Sequence, residues 1–141
     1  DAALAVAREN AANLGLSTRA AMQTGDWSRP GWDAELGRFD LVLANPPYVE
    51  DSAELDPGVS QFEPASALFA GAEGLDDYRV ILPQLPQLLT KDGVAVLEIG
   101  ATQASQVSEI AHQYGFTAIA HKDLGGRDRA LELRLALGKD E

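Results

Sequence analysis

Two consecutive prolines directly follow a short apolar run. The run Phe39–Ala44 has the length and composition of a strand that is covered on both faces of a sheet. Pro46 and Pro47 have no backbone N–H and fix φ near about −65°, so the chain must leave this strand in an extended conformation. Carbonyl oxygens at the end of the strand therefore have few competing donors beside them. Asn45 adds a side-chain amide and Tyr48 adds a ring with a polar tip, so the segment suits a planar NH₂ group, either of an amide or of a nucleobase.

The composition indicates one globular domain. The chain has 141 residues, of which 45% are hydrophobic, and this is enough to form a core. It has no cysteine, which excludes disulfides and thiolate metal sites. His112 and His121 fall in a predicted helix and a predicted strand without the spacing of metal ligands, so we predict no metal site. No apolar run approaches the ~18 residues of a membrane span, and we expect a soluble, cytoplasmic protein without a membrane partner.

The charge balance argues against nucleic acid as a direct partner. The formal net charge is −11, from 22 acidic and 11 basic residues, and the basic residues are scattered along the chain. A negative surface of this kind repels phosphate backbones unless its cations are concentrated in one patch. Most of the charge is therefore interpreted as a solvated acidic surface.

Periodicity and turn residues predict alternating helices and strands. The predicted helices are Ala2–Leu14, ended by Gly15, then Tyr78–Leu89, broken by Pro83 and Pro86, and Thr102–Tyr114. The predicted strands are Thr18–Gln23, Phe39–Ala44, Val94–Ile99, Phe116–His121 and Ala130–Leu137. The predicted loops are Ser28–Gly37 and the long acidic segment Glu50–Gly74, whose length favours a functional role.

This alternation predicts an α/β fold with an open, mostly parallel sheet and helices on both faces. In such sheets ligands bind beyond the carboxyl ends of the strands. Three polar motifs follow predicted strands: Asp26 with Trp27, Asn45–Tyr48, and Glu98–Gly100. We expect them to lie on one edge of the sheet and to form a site.

Several segments together resemble one family of enzymes. The matching segments are FDLVLANPPYVE (39–50), FEPASALFAGAEGLDDYR (62–79), DGVAVLEIG (92–100) and KDLGGRDRA (122–130). The chain resembles the catalytic domain of the HemK/PrmC family, the peptide-chain release-factor glutamine N5-methyltransferases, along nearly its whole length. NPPY alone is less specific, because amino-methyltransferases that act on adenine or cytosine share it.

The resemblance implies a Rossmann-like fold dependent on S-adenosyl-L-methionine, with a mostly parallel sheet and an antiparallel C-terminal strand. The first two strands and the glycine-rich loop of that fold have no counterpart here, so residues 1–141 are expected to be a partial methyltransferase catalytic domain whose methyl transfer is impaired. In the family's sheet those strands lie between the counterparts of Thr18–Gln23 and Phe39–Ala44. We therefore expect these two strands to pair directly, or the chain to self-associate through exposed sheet edges, or its N-terminal third to pack poorly.

By the same resemblance, four residues form the catalytic clamp. Asn45 and the carbonyl of Pro46 would accept the two N–H bonds of a glutamine side-chain amide, Pro47 would complete the rigid turn, and Tyr48 would stack on the amide plane. Holding the amide in this way localises the nitrogen lone pair and aligns it for methyl transfer. The implied substrate is the Gly-Gly-Gln loop of a peptide-chain release factor.

The resemblance also assigns the S-adenosyl-L-methionine site. Asp26 and Trp27 match the positions beside its adenine, and Asn45 also touches it. Glu98 is expected to accept a hydrogen bond at the edge of the sheet, the alternative being a buried catalytic acid. Glu63 is expected to shape the substrate loop or to cap a turn. Asp128, between Arg127 and Arg129, is interpreted as part of an ion-paired turn.

Two other functions stay open. One is a nucleic-acid amino-methyltransferase, which uses the same NPPY chemistry but should carry a basic groove. The other is a non-catalytic fragment that folds and self-associates.

Overall fold

The computed structural model describes residues 2–51, 53 and 64–136. The chain forms two compact units, Asp1–Glu35 and Leu36–Glu141. Glu63 and most of the long acidic loop lie outside the described residues, as does the predicted end of the last strand at Leu137.

The first unit consists of helix α1 (Ala2–Asn13) followed by turns. Helix α1 ends at Asn13, one residue before the predicted end at Leu14, and Gly15, the predicted stop, follows with a φ of 69° that favours glycine. The predicted strand Thr18–Gln23 is wrong. The N–H groups of Arg19 and Ala20 both donate to the carbonyl of Leu16, at 2.9 Å, which closes a turn where a strand would need a neighbouring strand.

Packing in the first unit is sparse. Among its described residues only Ala11 is buried. This agrees with the expectation of a poorly packed N-terminal third. The predicted loop Ser28–Gly37 is confirmed, since these residues form turns without a helix or strand.

The second unit is built on a four-stranded sheet. The strands are β1 (Phe39–Ala44), β2 (Leu89–Glu98), β3 (Phe116–Lys122) and β4 (Asp128–Leu135), in the order β1-β2-β4-β3. Strands β1 and β2 are parallel, and β4 is antiparallel to both β2 and β3. This confirms the predicted parallel sheet with an antiparallel C-terminal strand. Within the described residues β1 pairs with β2 alone, so direct pairing of the two predicted N-terminal strands does not occur.

Three helical segments precede and follow β2. They are α2 (Asp76–Ile81), α3 (Leu85–Leu88) and α4 (Ala104–Gln113), with a 3₁₀ turn at Leu82–Gln84 between α2 and α3. Pro83 and Pro86 therefore break the predicted helix Tyr78–Leu89, because each proline lacks the N–H that would continue the helical hydrogen bonds. No helix within the described part of the chain is long and apolar enough to cross a membrane.

One face of this sheet carries the core. Alternate residues of the central strands, Leu97 and Ile99 of the β2 segment and Leu131 and Leu133 of β4, are fully buried. Tyr78 of α2 and Val107 of α4 belong to the same fully buried set. The opposite face is half-exposed or exposed along β2 and β4.

The expected coverage of β1 on both faces is wrong for the second unit. Leu41 and Leu43 are 55% and 71% exposed. The reason is geometric: β1 is an edge strand of this unit, and every second side chain points away from the buried face.

Candidate substrate-binding site

The parallel pairing of β1 with β2 brings two of the three predicted motifs together. Ala44 at the end of β1 is paired with Leu97 near the end of β2. Asn45–Tyr48 and Glu98–Gly100 therefore begin side by side at the same edge of the sheet. Asp26 and Trp27 belong to the first unit and do not follow a strand there.

Tyr48 is joined to Glu98 through its hydroxyl group. The phenol donates to Oε1 of Glu98 at 2.9 Å. Burial and this carboxylate raise the pKa of Tyr48 above its usual range, while the guanidinium of Arg129 acts in the opposite direction. The predicted hydrogen-bonding role of Glu98 is thereby confirmed.

Glu98 is also held through its backbone. The hydroxyl of the fully buried Tyr78 donates to the carbonyl of Glu98 at 2.7 Å. Burial raises the pKa of Tyr78. One residue at the end of β2 thus receives two phenol hydrogen bonds, one on its carboxylate and one on its carbonyl.

Gln103, which sequence reasoning missed, connects the clamp to the start of α4. It is only 5% exposed. Its Nε2 donates to the carbonyls of Tyr48 at 3.0 Å and Gly74 at 3.2 Å, and Oε1 accepts from the N–H of Gly100 at 2.9 Å. A buried amide with both ends bonded fixes three backbone segments at once. The sequence signal was a glutamine three residues after Gly100, at the start of a predicted helix, and an exposed surface residue could occupy the same position.

The backbone after the clamp is held by a second short pairing. The N–H of Val49 donates to the carbonyl of Leu68 at 2.8 Å, and the N–H of Ala70 donates to the carbonyl of Val49 at 2.9 Å. Gly74 then closes against the clamp with a φ of 66°, and a Cβ there would overlap the carbonyl of Tyr48. Gly74, which lies in the segment 62–79 of the family resemblance, therefore has a steric role, since only glycine fits this contact.

A β-bulge directs Arg129 toward the clamp. His121 is paired with Ala130 but the adjacent Lys122 is paired with Asp128, so Arg129 is the extra residue. Its side chain donates to the carbonyl of Ile99 at 3.4 Å. The interpretation of Asp128 as part of an ion-paired turn is confirmed, but Asp128 pairs with Lys122, and Arg129 pairs with Asp123. The contribution of Arg129 to the site was not predicted.

An open depression of about 400 Å³ lies beside the clamp. Its lining residues come from the ends of β1, β2 and β4: Leu43, Ala44, Asn45, Val96, Glu98, Arg129 and Ala130. The walls are mainly apolar, and Glu98 and Arg129 contribute one charge of each sign.

Asn45 and Pro46 present acceptors without partners. The side chain of Asn45 is exposed, whereas Pro46 is fully buried. Within the described residues, neither the Asn45 amide nor the Pro46 carbonyl takes part in a hydrogen bond. The exposed Asn45 amide can accept from an external donor, whereas the residues that cover Pro46 would have to move before a second N–H could reach its carbonyl.

Asp26 forms a local turn in the first unit. Its Oδ1 accepts from the N–H and the hydroxyl of Ser28, at 3.0 and 2.6 Å, and its Oδ2 accepts from Nε of Arg29 at 2.9 Å. These hydrogen bonds lower the pKa of the Asp26 carboxyl. Trp27 is half-buried beside it. The cofactor role of both residues stays a prediction.

The described residues contain no group of three His, Cys, Asp or Glu side chains arranged to hold a metal ion.

Two curated proteins that are similar in sequence to this chain carry the same name. The chain is 42% identical over 135 residues to a release factor glutamine methyltransferase of Rhodospirillum rubrum, covering 94% of this chain and 40% of that protein. A protein of the same name from Caulobacter vibrioides is 43% identical over 133 residues, covering 92% of this chain and 45% of that protein. The chain therefore spans less than half the length of these curated relatives. No protein-family model matches it.

A solved structure supports the fold. The ribosomal protein L11 methylase of Lactobacillus delbrueckii subsp. bulgaricus superposes with a TM-score of 0.59 at 21% identity. The match covers 94% of this chain and 52% of that one. At this identity the likeness establishes the methylase-type α/β fold alone.

Proposed function

This chain belongs to the family of release factor glutamine methyltransferases, and we propose that it carries the amide clamp that positions the target glutamine of a release factor for methylation. The observation that carries the proposal is the pair of unpaired acceptors on Asn45 and Pro46, directly beside the fixed side chain of Tyr48.

The two acceptors match the two N–H bonds of a primary amide. Oδ1 of Asn45 receives one N–H and the carbonyl oxygen of Pro46 receives the other. Because Pro46 and Pro47 have no N–H of their own, no neighbouring backbone donor competes for these oxygens. An amide nitrogen is a poor nucleophile, and both hydrogen bonds draw electron density from N–H toward nitrogen while fixing its direction.

Tyr48 supplies the flat wall of the clamp. Its hydroxyl is bonded to Glu98 and its carbonyl is bonded to Gln103, so ring and backbone are both restrained. The substrate amide stacks on a surface that is already in place, which reduces the entropy lost on binding.

The chemistry of the depression fits S-adenosyl-L-methionine as the methyl donor. When bound, this group supplies an electrophilic methyl on a positively charged sulfur. Leu43, Val96 and Ala130 provide apolar walls, which suit a reaction in which the charge on sulfur is lost. Glu98 provides a negative charge that Arg129, in the same lining, offsets in part. Asn45 would contact the donor, and Asp26 and Trp27 would hold its adenine.

The substrate class follows from the clamp and from the acidic surface. A release factor with an exposed glutamine would donate to both acceptors. Since release factors act in translation, this substrate would mean that the chain works in the cytoplasm. The net charge of −11 disfavours DNA or RNA as the substrate, although the amino group of adenine or cytosine has the same pair of N–H bonds.

Methyl transfer from isotopically labelled S-adenosyl-L-methionine tests the proposal. The 141-residue chain is incubated with a folded release factor and, in parallel, with double-stranded and single-stranded DNA. The relative from Rhodospirillum rubrum is the positive control. We expect label on the release factor, at one glutamine identified by mass spectrometry and at a lower rate than with the relative, and none on DNA.

Asn45→Ala removes one acceptor and is expected to lower the transfer rate by about 10²-fold or more. Asn13→Ala, at the exposed end of α1, is the matched control and should leave the rate unchanged. Label on DNA alone, or no label on a release factor that the relative methylates, would contradict the proposal.

A further inference from the structure

The connection between β3 and β4 lies at the same edge of the sheet as the clamp. Its residues, 123–127, are called the hairpin tip. Strand β4 begins at Asp128, and Ala130 is paired with Glu98 at the end of β2. Arg129, two residues beyond the tip, lines the depression together with Asn45. Any macromolecule that places a side chain in the clamp therefore approaches the hairpin tip.

The hairpin tip is rigid. Oδ1 of Asp123 accepts from the N–H of Gly125 at 2.8 Å and from the N–H of Arg127 at 3.0 Å. The backbone N–H of Asp123 also donates to the carbonyl of Arg127 at 2.8 Å. Gly126 has a φ of 79°, which completes the turn without a strained side chain.

Ion pairs close the base of the tip. Nζ of Lys122 lies 3.1 Å from Oδ1 of Asp128, and Nε of Arg129 lies 3.8 Å from Oδ2 of Asp123. The carboxylates of Asp123 and Asp128 are therefore both paired within the hairpin. Because both pairs are partly exposed, they add only a small restraint to the hydrogen bonds of Asp123.

Two side chains remain available on this rigid support. Leu124 is fully exposed. Arg127 is exposed as well, and within the described residues its guanidinium forms no hydrogen bond or ion pair. Leu124 is surrounded by water on an ordered turn, so covering it with a partner lowers the free energy of the complex. Because the turn is already ordered, binding costs little conformational entropy.

The local charge differs from that of the rest of the chain. Residues 122–129 hold three of its 11 basic residues, Lys122, Arg127 and Arg129, in a protein whose net charge is −11. Lys122 and Arg129 are paired locally, whereas Arg127 acts on Asp123 through its charge and forms no ion pair within the described residues, so its guanidinium can turn to a partner's carboxylate. Arginine is also enriched among the residues that dominate interface energies.

We propose that the hairpin tip is a docking surface for the protein that carries the target glutamine, with Leu124 entering an apolar patch and Arg127 pairing with a carboxylate next to it. The inference rests on the proposed function, since the same partner fills the clamp. It adds that recognition depends on the folded surface of the partner as well as on the glutamine.

The test measures binding of the 141-residue chain to an immobilised release factor by interferometry. Leu124→Ser and Arg127→Ala are compared with Leu14→Ser and Arg19→Ala, which alter an exposed leucine and an exposed arginine of the first unit. We expect each tip variant to weaken binding by about tenfold or more, because hot-spot contacts at an interface have effects of this size. The controls should bind like the unaltered chain.

A second arm uses a short peptide containing the Gly-Gly-Gln sequence. It reaches the clamp but not the hairpin tip, so the tip variants should methylate it at the same rate as the unaltered chain. This arm separates the two proposals. Loss of peptide methylation in the unaltered chain would contradict the clamp, whereas a tip variant that binds the release factor normally would overturn only the docking surface.

Two further outcomes would also overturn the docking surface. One is an unaltered chain that does not bind the release factor at all. The other is a sedimentation experiment in which the unaltered chain is a dimer and Leu124→Ser makes it monomeric, because the tip would then join two copies. Circular dichroism spectra of the variants confirm that the fold is intact, as expected for exposed side chains.

Discussion

The side chain of Gln103 donates to the carbonyl of Tyr48 at 3.0 Å, across a separation of 55 residues. Its other end accepts from Gly100, directly after β2. The start of α4, the end of β2 and the clamp are therefore held by one buried amide. Because Gln103 touches only backbone groups, it acts by positioning Tyr48.

Gln103→Ala is expected to lower the free energy of unfolding by about 2–4 kcal/mol, because it leaves the carbonyls of Tyr48 and Gly74 and the N–H of Gly100 without partners in a buried region. Urea denaturation followed by circular dichroism measures this change. Gln113→Ala, at the exposed end of the same helix, is the control and should change the value by less than about 0.5 kcal/mol. Equal effects of the two substitutions would mean that the amide contributes little.

Gln103→Glu addresses the polarity of the same contacts. A carboxylate keeps the size and the acceptor toward Gly100 but removes the Nε2 donor and faces two carbonyl oxygens. We expect it to be destabilising at neutral pH and less so in acid, where a protonated carboxyl donates again. A pH-independent loss would indicate that volume, and not the hydrogen bonds, is what the site requires.

Glu98→Gln should lower the pKa of Tyr48, because it removes the carboxylate charge that disfavours the phenolate while burial continues to raise it. Absorbance at 295 nm, titrated between neutral and strongly alkaline pH, follows phenolate formation. Tyr48→Phe identifies the contribution of this one ring by subtraction. An unchanged Tyr48 titration in Glu98→Gln would show that the two groups do not interact in solution.

The same pKa shifts fix the direction of the alkaline stability change. Tyr48 and Tyr78 have folded-state pKa values above the value of about 10 expected in the unfolded chain. Their stabilising contribution is therefore complete below about pH 10 and is lost as the pH rises toward the folded-state values. Tyr78→Phe removes one of these groups and should reduce the slope of unfolding free energy against pH above pH 10. A steeper slope in the variant would contradict this assignment.

Gly74→Ala should be more damaging than Gly115→Ala. Both glycines have positive φ, 66° and 82°, so alanine costs about 1 kcal/mol of backbone strain at either position. A Cβ at Gly115 meets nothing within 4 Å, whereas at Gly74 it would overlap the carbonyl of Tyr48 and lie 2.7 Å from Nε2 of Gln103. We expect Gly74→Ala to displace the clamp and to reduce methyl transfer as well as thermal stability. Gly115→Ala should reduce stability slightly and leave methyl transfer unchanged.

Apolar runs in the sequence predicted the part of the site that lies at the ends of two paired strands. The apolar run before Asn45 and the run before Glu98 each identified a strand, and parallel pairing then put their ends together. The Thr18–Gln23 strand failed for the complementary reason, since a strand forms only where a partner offers hydrogen bonds. Gln103 and the bulge at Arg129 were missed because they depend on tertiary contacts and on a register shift, which leave no periodic signal in the sequence.

The exposed edge of β1 favours association between two copies of the chain. Leu41 is 55% exposed on an edge strand that has no proline or lysine to protect it. A second copy can add its own β1 to this edge, so we expect the chain to form dimers or larger species at micromolar concentration. Leu41→Lys introduces a charge on the edge and should shift sedimentation velocity profiles toward monomer. Leu14→Lys, which alters a leucine that is 73% exposed after α1, is the control and should leave the distribution unchanged. A monomeric unaltered chain would show that the edge is protected, and equal effects of both lysines would assign the association to net charge and not to β1.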